Sequence, residues 1–368
     1  MRIVLDSSVI CSDFQFGGTL MTALLAGLST GHHSLYVPAI VLDEVKTIYA
    51  EQLRQVSQTM KKAQSHYQRV TGRVLEPQVD EQEMKRLADE YEKHLHQTLA
   101  SVDAIVLPYP DATHEALTKR ALQQEKPFSA HDGGYRDALI WEAVIALAQQ
   151  EGRPVAFVTG NTKDFADINE QMHPDLRSDL EGRGIPRERV QFYPSLERFI
   201  DEVVRPALEN VTEEEVLQSA RQGALLGDAL GSKLANRLSE AHDELDNHRM
   251  ELGIPYDAEE VTVYHVEDLQ DLAVTDARRL SQGRFLIDLE ADTTITVDFS
   301  LFKADYWVMD EREMADFEVW DSDWSKHYIW AAAIRDVRIE VAFVLDVTKQ
   351  QIDSVEIVGF SEAGPARA

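Results

Sequence analysis

The chain is expected to open with an α/β domain, a parallel sheet flanked by helices with one extended helical hairpin. A helical connector and a smaller α+β domain built on an antiparallel sheet should follow. Three observations carry this expectation. Short apolar runs and helical stretches alternate five times between Arg2 and Tyr193, the pattern of a parallel sheet covered on both faces. From Glu260 to Phe360 apolar and polar residues alternate, as in an antiparallel sheet with one wet face. Charge divides at the same place: residues 1–200 hold 21 Lys and Arg against 28 Asp and Glu, net −7, whereas residues 201–368 hold 15 against 37, net −22. The expected divisions are 1–200, with the hairpin at about 45–100, then 201–252 and 253–368.

Taken in order, Arg2 to Leu5 is a buried strand ending at Asp6, and Thr19 to Leu28 is a helix stopped by Gly31. Ser34 to Val37 is the second strand, and Pro38 turns it into a helix that runs to about Tyr67 with Asp43 and Glu44 in its first turns. A second polar helix covers Glu81 to Leu99, which makes the hairpin a solvated antiparallel pair. Its cations Arg54, Lys61, Lys62 and Arg69 belong to an exposed face, though such a row can also guide a phosphate chain. Ala104 to Leu107, Val155 to Val158 and Val190 to Tyr193 are the remaining strands, with helices at Thr113 to Gln123 and Gly133 to Gln150.

Beyond residue 200, Leu196 to Leu208 and Glu213 to Leu252 read as helices, interrupted near Gly223, Gly227 and Gly231. Strands are expected at Val261 to Tyr264, Arg284 to Leu289, Thr294 to Phe299, Arg338 to Val344 and Ser354 to Val358. Thr294 to Phe299 is a candidate edge. Trp307, Trp320, Trp324 and Trp330 read as core or sheet-covering residues, because the surrounding charge is acidic and unsuited to stacking nucleic-acid bases.

A single cysteine, Cys11, excludes a disulfide framework and Cys-rich zinc sites. The first six residues carry charge, no apolar run approaches the ~18 residues that span a bilayer, and a cytoplasmic protein without membrane contact is expected. The acidic second half repels polyanions, so a nucleic acid must be met by cations or metal ions on the first half.

Acids mark the element ends. Asp6 closes the first strand, Glu44 opens the helix after the second, Asp137 lies in the first turn of the helix after Gly133-Gly134, and Asn161 and Asp164 follow the fourth strand. In a parallel sheet the carboxyl ends of the strands form the ligand edge, so these residues converge. Taken singly, Asp137 suits a helix macrodipole and Asp6 a turn. Together they repel one another unless a cation intervenes, and an all-oxygen donor set calls for Mg2+ or Mn2+ rather than zinc. Such an ion can polarise a phosphodiester and activate a water, so phosphodiester hydrolysis is the natural chemistry.

The runs Ile3-Val4-Leu5-Asp6-Ser7, Leu42-Asp43-Glu44-Val45, Gly134-Tyr135-Arg136-Asp137-Ala138 and Val158-Thr159-Gly160-Asn161-Thr162-Lys163-Asp164-Phe165, in this order, resemble a PIN domain over roughly residues 1–200. Ile105 to Pro110, Arg120-Ala121 and Lys126-Pro127-Phe128-Ser129 resemble, more narrowly, a bacterial PIN subfamily of uncharacterised, DUF4935-like proteins. The resemblance implies a metal-dependent nuclease, typically a ribonuclease. It implies Asp6, Glu44 and Asp137 as three metal-holding and catalytic acids, with Ser7 and Thr159 as hydroxyl neighbours. At the fourth position this chain has Asn161 where many PIN domains have an acid, so Asp164 substitutes or the site is three acids plus an amide. Asp43 should point about 100° away from Glu44 on the helix, and it and Asp132 are decoys. The function expected is an endoribonuclease whose partner is nucleic acid, foremost RNA, with the C-terminal domain serving regulation or assembly. A non-catalytic scaffold that binds a basic protein partner, or a homo-oligomer, is the alternative. A haloacid dehalogenase-type phosphatase is disfavoured because Ser8 stands where that mechanism needs an acid.

Overall fold

Ile3, Val4 and Leu5 are fully shielded from solvent, so β1 (Arg2–Leu5) must lie inside a sheet. It does, in the computed structural model, which describes residues 1–29, 31–74, 80–129, 133–212, 214–216, 229–240, 249, 252, 254–281, 283–309 and 314–362. The expected decoy Asp132 and the breaks at Gly223 and Gly227 lie outside the described residues. The chain divides into two compact units, one of Met1–Phe16 and Leu20–Ala207, the other of Gly17–Thr19 and Leu208–Ala368.

In the first unit β1 is followed by α1 (Ser7–Ser12), α2 (Thr19–Ser29), β2 (Ser34–Pro38) and α3 (Ala39–Thr71). Then come α4 (Glu81–Ser101), β3 (Ile105–Leu107), α5 (His114–Leu122), α6 (Tyr135–Gln149), β4 (Val155–Val158), α7 (Thr162–Phe165), α8 (Pro174–Gly182), β5 (Val190–Tyr193) and α9 (Leu196–Phe199). The five strands form a parallel sheet in the order β3-β2-β1-β4-β5. Strand order reverses between β1 and β4, and that reversal opens a crevice at the carboxyl ends of these two strands.

The hairpin is anchored at its base. Tyr49 of α3 stacks on Tyr91 of α4 at 3.9 Å, and Phe14 meets both rings edge-on. Tyr91, Leu95 and Leu99 are buried at a four-residue spacing, whereas Val56, Val70 and Val74 further out are exposed. Asp80 caps α4 by accepting from Glu83 N at 2.8 Å, and Gly72 ends α3 in the left-handed region. Helix α6 is buried nearly all round, through Ala138, Ile140, Trp141, Val144, Ile145 and Leu147. Its Trp141 donates from Nε1 to Asp179 Oδ2 at 2.8 Å, so the indole leaves no orphaned donor in the core. The expected helix over Leu196–Leu208 changes winding instead, with a π-helical turn at Ile200–Val204 and a 3-10 turn at Arg205–Ala207.

The second unit holds β6 (Glu209–Asn210), α10 (Leu230–Glu240), β7 (Glu259–Val266), β8 (Gln270–Ser281), β9 (Arg284–Phe302), α11 (Lys303–Tyr306), β10 (Glu318–Asp321), β11 (Tyr328–Asp346) and β12 (Gln351–Glu362). All seven strands join one antiparallel sheet. Two expectations are corrected. Arg284–Leu289 and Thr294–Phe299 are one strand, because Glu290 to Thr293 continue the in-out alternation with no turn residue between them. Thr294–Phe299 is no edge: it pairs with β11 on one side and its end pairs with β7 on the other. Trp320 and Trp324 each pack against Trp330 of β11, as expected of sheet-covering residues, whereas Trp307 is 76% exposed. Leu230 and Leu234 of α10 lie in the apolar core of this unit with Ile287, Val297 and Ile339, so this stretch packs on the sheet.

Candidate active site at the strand-order reversal

Asp6 ends β1 and caps α1, with its carboxylate 2% exposed. Such a carboxylate needs several donors, and it has them. Oδ1 accepts from Ser7 N at 2.7 Å, and Oδ2 accepts from Ser8 Oγ at 2.7 Å and Thr159 Oγ1 at 2.6 Å. Thr159 follows β4 and is fully buried, so this last bond ties the two strands together across the crevice. Ser8 Oγ in turn accepts from Gly160 N at 2.8 Å, and Thr159 Oγ1 from Asn161 N at 2.9 Å. Two short turns are locked to each other through one carboxylate.

Glu44 is brought up by the first turns of α3. Ser7 Oγ stands 3.0 Å from Glu44 Oε2 and 3.3 Å from Asp6 Oδ1, so a single hydroxyl proton bridges the two acids. Glu44 Oε1 pairs with Arg136 Nη1 at 2.6 Å. Burial pushes the Glu44 carboxyl above its ordinary range, the Ser7 hydrogen bond and Arg136 pull it back, and Asp6 raises it again.

Asn161 joins the other pair. Its Nδ2 donates to Asp137 Oδ1 at 3.0 Å and to Asp164 Oδ2 at 3.2 Å, one proton to each. Asp164 Oδ1 also meets Lys126 Nζ at 3.2 Å, and that ammonium donates to the Lys163 carbonyl at 2.7 Å. Asp137 feels the whole cluster: burial first, then the charges of Asp6 and Asp164, raise its carboxyl to about 6, with Asn161 opposing and Glu44 adding. All five expected residues therefore stand in two hydrogen-bonded sets around the crevice. Asp43 is turned elsewhere, accepting from Tyr109 Oη at 2.7 Å and pairing with Lys46 at 3.0 Å.

Sequence reasoning missed Ser8, Arg136 and Lys126. Arg136 sits beside Asp137 in a run singled out above, and Lys126 opens another, but neither run tells which acid the cation meets. Four carboxylates face two cations in this site, an excess of negative charge that suits a divalent ion, and every donor is a hard oxygen. By the chemistry of its donors the set fits such an ion. As the side chains stand, they are turned to Arg136, Lys126 and the hydroxyls, and among the described residues no three acids, histidines or cysteines are arranged to hold an ion.

Residues 3–165 match the family model of the PIN domain, which assigns that stretch of the first unit to the family. PIN domains are generally metal-dependent nucleases, commonly ribonucleases. No curated protein and no solved structure matches the chain. No described helix is long and apolar enough to cross a membrane.

Proposed function

We propose that this protein is a metal-dependent endoribonuclease, and that Asp6, Glu44, Asp137 and Asp164, with Asn161, form its active site. The observation that supports this most is the bridging of Asp6 to Glu44 by Ser7 and of Asp137 to Asp164 by Asn161, at the crevice of a PIN domain. When bound by these residues, Mg2+ or Mn2+ would polarise the phosphodiester and lower the pKa of an attacking water. The protein's own groups have separate tasks. Ser7, Ser8 and Thr159 hold the Asp6 carboxylate in one orientation, which leaves it little freedom to lose when it acts. Arg136, with its side chain 59% exposed, and Lys126 place positive charge at the crevice, where a phosphate can exchange for a carboxylate as their partner. The acidic second unit takes no substrate and serves regulation or assembly.

One observation favours a second reading, a scaffold that binds a basic protein: Arg136 and Lys126 already occupy Glu44 and Asp164, and Asn161 stands at the fourth position. The same assay separates the two. Labelled RNA and DNA are incubated with the purified chain in Mg2+, Mn2+ or EDTA. Cleavage of RNA that needs the metal and vanishes in Asp6→Asn is expected; intact RNA with both metals would leave the scaffold reading.

A further inference from the structure

The surface of the second unit carries an open depression of about 490 Å3. Three aromatic residues line it: Phe302, at the end of β9, meets Tyr328, at the start of β11, edge-to-face at 5.5 Å with the rings 65° apart, and Tyr256 stands exposed beside them. Three carboxylates, Asp257, Glu259 and Asp305, belong to the lining. Glu259 Oε1 lies 3.4 Å from the Tyr328 hydroxyl, which puts one of these charges at the edge of the ring. The cation on the rim, Arg249, directs Nη1 to the carbonyls of Pro255, Tyr256 and Ala258 at 3.4, 2.9 and 2.7 Å, and thereby fixes the turn that carries Asp257. The lining is left with a net charge of about −2 from its formal charges.

That combination selects a ligand class. An anion is repelled by the three carboxylates, and a neutral apolar molecule would leave them desolvated and unpaired. A small hard metal ion gains nothing from the aromatic rings. A cation carrying CH2 groups gains from both features, since its charge meets the carboxylates while its methylenes and positive end lie against the rings. We propose that this depression binds an alkylammonium head group, from a free polyamine or from a lysine side chain.

Isothermal titration of the full-length chain at physiological salt, with spermidine and with Nα-acetyl-lysine methylamide as the two probes, tests this. One site per chain is expected. Tyr328→Leu should weaken binding roughly 5- to 30-fold through loss of the ring, and Asp305→Asn by about ten-fold through loss of a charge. Tyr328→Phe, which keeps the ring, should bind within about two-fold of the parent. Far-UV circular dichroism confirms that each variant keeps its fold, and Phe302→Leu serves as the ring variant if Tyr328→Leu does not. Binding of either probe that these changes weaken upholds the proposal, and the tighter probe identifies the source. Equal binding by parent and variants would mean amines condensed on an acidic surface, and that result, or no binding by either probe, overturns it.

Discussion

Asp137 is where the electrostatics of the site can be read in solution. Its carboxyl is raised from 3.8 to about 6, chiefly by burial and then by Asp6 and Asp164. A raised acid pKa means that the folded protein binds this proton more tightly than the unfolded chain does. The resulting stability is fully present below about pH 4 and is lost as the pH rises through about 6. Asp137→Asn, which can still accept from Asn161, should therefore raise the melting temperature in EDTA at pH 7 to 8, and the gain should vanish near pH 4. Glu44, also raised, leaves a weaker slope of the same sign in the variant. A melting-temperature difference that stays constant from pH 4 to 8 would contradict this account. Asn161 offers a second test at this scale, because it contacts both Asp137 and Asp164. Asn161→Ala should lower metal-dependent cleavage more than Asp164→Ala, since it frees two carboxylates rather than one. Loss of cleavage in Asp164→Ala alone would show that Asn161 is a bystander to the four acids.

Helix α6 delivers Asp137 only if its first turn starts in the right place. Gly134 precedes it with φ of 100°, and a Cβ there would stand 2.3 Å from the Pro127 carbonyl oxygen and 3.0 Å from Phe128 Cα, both backbone atoms that cannot yield cheaply. Gly134→Ala should cost about 2 kcal/mol or more in denaturant unfolding and should depress cleavage with it. A loss below about 0.5 kcal/mol would show that the turn relaxes freely. The elements that carry the site were legible in sequence because each strand of the first unit is a short, mostly apolar run. Those of the second unit were less so. Gln270–Ser281 is a strand whose Asp271, Asp276, Arg278 and Arg279 hide its alternation, and pairing with β9, not its own composition, holds it. The cations of the site escaped for a related reason: Arg136 and Glu44 lie far apart in the chain, and only the assembled sheet edge brings them within 2.6 Å.

At the scale of the whole molecule, the division of the chain decides how it can be cut. Truncation from about residue 255 onward is unsound, because Val211, Val216, Leu230, Leu234, Leu252 and Ile254 belong to the core of the second unit. A fragment ending there would expose them all, each side chain losing roughly 1.5–3 kcal/mol of burial. We expect residues 1–207 to be recovered soluble and monomeric, and residues 1–254 to aggregate or to bind the dye ANS, as size-exclusion chromatography and fluorescence would report. The reverse outcome would place the boundary near 254. If active, the shorter fragment should cut RNA at least as well as the full chain at low salt, because the net −21 of residues 208–368 is gone. The difference should shrink as salt is added.

The central position of β1 has a consequence during synthesis. The first strand to leave the ribosome is the middle of its sheet, and its partners at Ser34–Tyr36 and Val155–Val158 are made later, one of them much later. Asp6 is thus among the earliest residues of the site to be translated and Asp164 the last. At about 5–20 residues per second, roughly 8–30 s separate them. Until that interval has passed the carboxylates have no common crevice, so a nascent chain emerging beside its own messenger RNA carries the acids but not the assembled site. For the nuclease proposed above, the order of the strands delays assembly of the site until its first unit is complete.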